Sequence, residues 1–150
     1  HRDISISVVS AAGESPPLRL LVNDDLPRVA EKEPNNGFRQ APLVSVGSLV
    51  EGVIQSPQDV DVFAIDGRAG QRLELSAQAS RYGSPAEPML TVYDERGAII
   101  GASDDAGRDE DARLLLTLPR DGRYYVSIMD VHDQGGTFYR YRVPIGVGRD

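Results

Sequence analysis

Short runs of alternating apolar and polar residues, punctuated by glycine and proline, are the feature that most constrains what this 150-residue chain can fold into. Between residues 72 and 79, Leu73, Leu75 and Ala77 point to one side of an extended chain and the polar residues between them to the other. The same period of two recurs between residues 139 and 147. No helical period extends beyond two turns, so the sequence predicts an all-β fold.

Eight strands are predicted from about residue 43 onward. They cover residues 49–54, 60–65, 72–79, 89–94, 98–102, 113–118, 123–129 and 137–147. The tetrapeptides 94–97 and 119–122 both end in glycine and are typical of tight turns between neighbouring antiparallel strands. Many short strands with glycine and proline turns indicate an antiparallel jelly-roll-like β-sandwich of about eight strands.

Residues 1–28 precede this pattern and are interpreted as an N-terminal extension. Residues 4–8 alternate as a half-buried strand does, and residues 18–22 form a second apolar run. Turn-forming residues, prolines and carboxylates then fill residues 23–37. We therefore expect the end of a preceding β domain, or extra docked strands, over 1–28 and a sandwich domain over 29–148. Because the chain begins at His1, we expect it to be a piece of a longer polypeptide.

The composition narrows the classes of function. Apolar residues make up 40% of the chain, enough for a core, and the formal net charge is −7. A negative charge argues against nucleic acid or an anionic membrane surface as a partner. Cysteine is absent, which excludes disulfides and thiolate metal sites. No apolar run is long enough to span a bilayer.

No pattern of catalytic residues is evident. The nucleophile-elbow, zinc-protease and phosphate-loop motifs are all missing. The two histidines are His1, at the start of the chain, and His132, in a glycine-rich turn where a solvated side chain is the ordinary outcome. The chain is therefore predicted not to be an enzyme.

Two acidic segments are candidate metal ligands. In an extended stretch Glu31, Glu33 and Asn35 point to the same side, with Asn36 at the following turn. Asp59 and Asp61 open the strand 60–65, on the face opposite its valines. Like charges this close repel unless a cation neutralises them, and a hard ion such as Ca²⁺ takes 6–8 oxygen ligands. From spacing alone, a solvated acidic linker and a pair of loop-capping aspartates explain the same residues.

A third acidic run covers residues 104–111. It does not match the spacing of an EF-hand loop, so a solvated loop is the favoured interpretation and a second cation site the alternative.

The ordered motifs of residues 29–147 resemble the bacterial pre-peptidase C-terminal domain. The segments that carry the resemblance are 31–36, 59–63, 70–73, 83–85, 88–90, 104–105, 121–126, 135–136 and 139–142. The resemblance implies a non-catalytic β-sandwich of secreted bacterial proteins, similar to the collagen-binding domains of clostridial collagenases. It also implies calcium ligands at Glu31, Glu33, Asn35 and Asn36 together with Asp59 and Asp61, although those domains often have aspartate where this chain has Asn36.

The function predicted from the sequence is therefore that of a calcium-stabilised accessory or binding domain of a larger secreted or cell-surface protein. Its expected partners are an extracellular protein, a polysaccharide or other domains of its parent chain, and the domain itself is expected to be monomeric. The alternative is a carbohydrate-binding module that stacks sugar rings on two of Tyr82, Tyr93, Tyr124 and Tyr125. The last two are sequence neighbours and should point to opposite faces.

Overall fold

The strands of the computed structural model follow the predicted order. The residues it describes are 2–6, 9–10, 13–14, 18–22, 26–79, 83–104 and 112–147, and before residue 26 these are strand backbone. The strands are β1 Arg2–Ile6, β2 Val9–Ser10, β3 Gly13–Glu14, β4 Leu18–Val22, β5 Arg28–Ala30, β6 Leu49–Val53, β7 Val60–Gly67, β8 Arg72–Ala77, β9 Pro88–Tyr93, β10 Ile99–Asp104, β11 Ala112–Thr117, β12 Gly122–Asp130 and β13 Arg140–Val147. A 3₁₀ turn occupies Phe38–Gln40.

Two sheets form the body of the fold. One has the order β10-β9-β12-β7, and the other the order β11-β8-β13-β6-β5. Every pairing within them is antiparallel except that of β5 with β6, which is parallel. From β6 to β13, most consecutive strands alternate between the sheets, and β9 and β10 are hairpin neighbours. The predicted all-β antiparallel sandwich is confirmed.

The core lies between the two sheets and is built from alternate strand positions, as the period of two requires. Its side chains are at most 2% exposed and include Val50, Phe63, Ile65, Leu73, Leu75, Leu90, Val92, Tyr124, Val126, Ile128, Tyr141, Val143 and Ile145. Fully burying one such side chain stabilises the fold by about 1.5–3 kcal/mol.

Residues 28–44, here called the bridging segment, supply the edge strand of the five-stranded sheet and then contact the edge strand of the other sheet. Its first residues form β5 beside β6. Farther on, Asn35 accepts a hydrogen bond from Val62 N–H (2.9 Å), and Val44 N–H donates to Ala64 (2.7 Å) on the edge strand β7. The stretch between β5 and Asn35 therefore crosses from one sheet to the other at the side of the sandwich.

Some boundaries differ from those predicted. Residues 137–139 lie in a turn closed by a hydrogen bond from Tyr139 N–H to Gly136, so the last strand begins at Arg140. The first strand covers 2–6 instead of 4–8, and it pairs with 18–22. The division of the chain at residue 28 stays a prediction. Among the described residues, no helix is long and apolar enough to cross a membrane.

Candidate metal centre

Three carboxylates meet where the bridging segment crosses between the sheets. Glu31 and Glu33 belong to that segment, and Asp61 belongs to β7. One oxygen from each lies within 4.8 Å of the others. Oxygens that share a calcium ion at 2.3–2.6 Å from its centre are separated by at most about 5 Å. The three side chains are therefore close enough to share one ion.

Glu31 is held against β6 by its own backbone and by its carboxylate. Its N–H donates to the Glu51 carbonyl (2.8 Å), which continues the β5–β6 pairing by one residue. Its Oε1 accepts a hydrogen bond from Val53 N–H (3.1 Å). These contacts leave Oε2 directed at the other carboxylates.

Asp61 is completely buried, which the sequence interpretation did not predict. The valines of this strand were expected to face the core and the aspartates to face away from it. Instead Asp61 shares the inward side with Phe63 and Ile65, and the outward Val62 is buried because the bridging segment covers that side of β7. The expected orientation of Asp61 was wrong because both faces of an edge strand are covered here, so hydrophobicity does not distinguish them.

The Tyr141 hydroxyl joins two of the carboxylates. It lies 2.6 Å from Asp61 Oδ2 and 3.0 Å from Glu31 Oε2, and its single proton is donated to one of them at a time. Tyr141 pairs with Gly52 across β6 and β13. A Cβ at Gly52 would overlap this hydroxyl and lie 2.9 Å from Glu31 Oε2. The alternation of β13 places the Tyr141 ring in the core, as predicted. The sequence analysis did not consider Gly52, whose missing side chain leaves the space that the Tyr141 hydroxyl occupies.

Asn35 is fully buried beside the carboxylates. Its backbone N–H donates to Glu33 Oε2 (3.1 Å), and the Glu33–Pro34 peptide bond before it is cis. Its side-chain amide fits its pocket in two orientations, related by a half-turn that exchanges the oxygen and the nitrogen. In one, the nitrogen donates to Glu33 Oε2 (2.8 Å) and Asp61 Oδ1 (3.2 Å). In the other, the amide oxygen faces those carboxylate oxygens, an arrangement that a cation between them would make favourable.

The remaining two predicted ligands lie at the periphery. Asp59 is buried, and its Oδ2 accepts a hydrogen bond from Gln55 N–H (2.8 Å), as a loop-capping residue does. Its negative charge nevertheless acts on Glu33 and Asp61. Asn36 is exposed. The structure therefore brings together Glu31, Glu33, Asn35 and Asp61 and leaves the other two outside the group.

The electrostatics of the group favour an uncharged or neutralised state. Burial, with contributions from Glu31 and Asp59, raises the pKa of Asp61 to about 9, although the hydrogen bond from Tyr141 acts in the opposite direction. Burial also raises the pKa of Glu33. The pKa of Tyr141 is raised by burial and by the adjacent carboxylates of Asp61 and Glu31. Without a cation, the group is therefore expected to hold a proton at Asp61 at neutral pH.

The tyrosines proposed as a sugar platform are arranged differently. Tyr124 is buried, and its hydroxyl donates to the Arg120 carbonyl (2.6 Å), whereas Tyr125 is partly exposed. This confirms that the two point to opposite faces. Phe38 stacks on the Tyr125 ring (centroids 4.2 Å apart) and meets Tyr93 edge-on (5.3 Å). Tyr82 lies outside the described residues.

The other segments singled out in the sequence are peripheral to the centre. His132 is exposed, and its Nε2 lies 3.0 Å from Glu87 Oε2. Asp130 shapes this turn by accepting hydrogen bonds from the backbone N–H groups of His132 and Gln134 (both 3.0 Å). Most of the acidic run, residues 105–111, lies outside the described residues.

Comparison with solved structures identifies the fold. The pre-peptidase C-terminal domain of a Bacillus anthracis collagenase superposes with a TM-score of 0.58 at 11% identity, over 77% of this chain and 99% of that one. The chain has the fold of a pre-peptidase C-terminal domain. PliG of Aeromonas hydrophila, a periplasmic inhibitor of g-type lysozyme, is similar too, with a TM-score of 0.55 at 14% identity over 72% of this chain and 98% of that one. No protein-family model matches the sequence.

A sequence relative links this fold to a protease. The chain is 30% identical over 107 residues to a subtilase-type serine protease of Deinococcus radiodurans. The match covers 69% of this chain and 15% of the protease. The chain therefore spans a small part of the length of that relative.

Proposed function

We propose that this chain is a non-catalytic accessory domain of a larger secreted or cell-surface bacterial protein, and that one calcium ion stabilises it. The observation that carries the proposal is the group of buried and partly buried oxygens formed by Glu31, Glu33, Asn35 and Asp61. The similarity to a small part of a serine protease supports an accessory role beside a peptidase.

The donor set fits calcium. Carboxylate and amide oxygens are the ligands that Ca²⁺ prefers, and nitrogen or sulfur donors, which would favour zinc, do not belong to the group. In the described part of the chain, no ion pair joins Glu31, Glu33 or Asp61 to a basic side chain. A buried carboxylate without a basic partner is costly unless it is protonated or bound to a metal.

The bound ion would link two parts of the fold that the backbone connects only indirectly. Glu31, Glu33 and Asn35 come from the bridging segment and Asp61 from β7, so a shared ion would tie the crossing to the four-stranded sheet. Calcium that binds only the folded state would add about 2.7 kcal/mol to the free energy of unfolding at a hundredfold excess over Kd. For a domain of this size, that corresponds to a Tm increase of about 5–10 °C.

The carbohydrate-binding alternative is less well supported. Tyr93 and Tyr125 lie opposite each other on the outer face of the four-stranded sheet, as two stacking rings would require. However, Phe38 already covers one face of the Tyr125 ring. Sugar stacking on Tyr125 would therefore require Phe38 to move.

Differential scanning calorimetry with calcium and with a chelator tests the calcium proposal. We expect calcium to raise Tm and magnesium to raise it less, since Mg²⁺ requires a smaller octahedral shell. Glu33→Gln should reduce the calcium-dependent increase, whereas Glu74→Gln, an exposed glutamate on β8, should retain it. Superimposable curves with calcium and chelator would contradict the proposal.

A further inference from the structure

The outer face of the five-stranded sheet is basic, although the chain as a whole is acidic. The register of the strands places five arginines on this face, at positions 28, 72, 113, 140 and 142. In the described part of the chain, the acidic residues on the same face are Glu51 and Glu74. This leaves a net charge of +3 there, in a chain whose formal charge is −7. A face whose charge is opposite in sign to the remainder of the molecule attracts and orients an anionic partner.

A groove of about 670 Å³ crosses this face over β6 and β13. Phe138 stands in its wall with 78% of its surface exposed, and Val53 adds an aliphatic contact. Arg140 is exposed, and among the described residues no ion pair involves it. The neighbouring Arg142 contacts Glu51 through Nε and Oε1 (3.2 Å). Two carboxylates also line the groove: Glu51, which contacts Arg142, and Glu31, which belongs to the candidate metal centre. The groove thus combines an apolar ring with the guanidinium group of Arg140.

The spacing of the two groove arginines matches that of alternate side chains in an extended peptide. Phe138, Arg140 and Arg142 occupy alternate positions along the chain, and the two arginines share one face of β13. Alternate residues of a strand are separated by about 6.8 Å, and so are alternate side chains of an extended ligand peptide. Two acidic side chains at alternate positions would therefore align with the two guanidinium groups. An apolar side chain that precedes them would lie toward Phe138, which occupies the turn just before β13.

We propose that this groove binds an extended peptide segment in which an apolar side chain is followed, at alternate positions, by two carboxylates. The proposal rests on the accessory function proposed above and names the chemistry of the partner. A polypeptide is favoured over an anionic polysaccharide because the groove supplies a ring and an aliphatic side chain beside the arginines. A uronic-acid chain offers carboxylates without apolar side chains.

Fluorescence anisotropy with labelled peptides tests the proposal on the full 150-residue chain in calcium. The probe contains Phe-Ser-Glu-Ser-Glu between glycines, and the control contains Phe-Ser-Ser-Glu-Glu, which has the same composition but points its carboxylates to opposite sides. We expect the probe to bind at least about tenfold more tightly, and its affinity to fall as salt is raised. Equal affinity for the two peptides would overturn the proposal.

Matched variants locate the binding. Arg140→Ser and Phe138→Ser change exposed side chains and should each weaken probe binding about tenfold, because a charge-assisted hydrogen bond or an apolar contact is lost. Arg123→Ser, which removes the same charge from the other sheet, should bind the probe as the unmodified chain does. Unchanged binding by Arg140→Ser, or binding of polygalacturonate instead of the probe, would overturn the proposal. If probe binding fails while calcium still raises Tm, the groove assignment alone is refuted.

Discussion

Replacing Asp61 by asparagine separates the effect of the buried charge from that of the fold. In the folded chain the pKa of Asp61 is raised to about 9 from an ordinary 3.8. Because the folded pKa lies above the unfolded one, the stabilising contribution of the protonated carboxyl is complete below pH 3.8. It is lost as the pH rises towards 9. Without calcium, the free energy of unfolding of the unmodified domain should therefore fall as the pH rises across this range. Asp61→Asn has no carboxyl group to ionise at this position, so it should not show this decrease.

The size of the effect follows from the two pKa values. Each pH unit between them changes the free energy of unfolding by about 1.4 kcal/mol. At pH 7 the accumulated loss is on the order of 4 kcal/mol, which is a large fraction of the stability of an ordinary domain. If calcium binds as proposed, an ionised Asp61 becomes a ligand of the ion, and the loss of stability at higher pH is reversed. The unmodified chain should then gain stability, and the asparagine variant should gain much less.

Urea unfolding at several pH values between 5 and 9, in chelator and in calcium, measures both effects. Asp66→Asn is the control, since Asp66 is exposed on the same strand and lies 3.1 Å from Arg123 Nε. In chelator, the stability difference between Asp61→Asn and the unmodified chain should grow in favour of the variant as the pH rises. If the two curves run parallel over this range, the buried carboxyl does not hold a proton and the electrostatic argument fails.

Three further substitutions test the surroundings of the centre. Tyr141→Phe removes the hydrogen bond to Asp61 while keeping the buried ring, and should lower the free energy of unfolding in chelator by about 1–3 kcal/mol, as measured by urea unfolding. Gly52→Ala places a methyl group on the Tyr141 hydroxyl and should abolish most of the calcium-dependent Tm increase, whereas Gly37→Ala, with no atom within 4 Å of its added Cβ, should retain it. Asp130→Ala removes the acceptor of three backbone N–H groups and should lower Tm equally in calcium and chelator; a calcium-dependent loss would show that the turn is coupled to the centre.

The strands of the sandwich were largely predictable because their signal is local. Alternation along residues 72–79 and 139–147 identifies the inward side of β8 and β13, and the glycine-terminated turn at 94–97 is closed by a hydrogen bond from Gly97 N–H to Asp94 (3.0 Å). Where the prediction extended a strand too far, at residues 137–139, the chain turns before entering the sheet. Alternation alone cannot detect such a turn, because extended loop residues also alternate.

The candidate centre was only partly predictable. The spacing of Glu31, Glu33 and Asn35 placed three oxygen donors on one side, and the structure brings them together. Asp61 was also named as a candidate ligand, and it lies beside Glu31 and Glu33, but its predicted orientation was wrong. The sequence alone does not reveal that Tyr141, 80 residues farther along, directs its hydroxyl at Asp61.

By itself, the amino-acid sequence determined the all-strand character of this protein, the order of its strands and the acidic side chains available to a cation, since each of these depends on residues close together in the chain. The tertiary structure alone decided that β7 is covered on both faces, that Asp61 turns inward and that Gly52 leaves room for the Tyr141 hydroxyl. These features depend on which distant strands pair and in what register, and pairing is governed by packing across the whole sandwich, to which no local pattern responds.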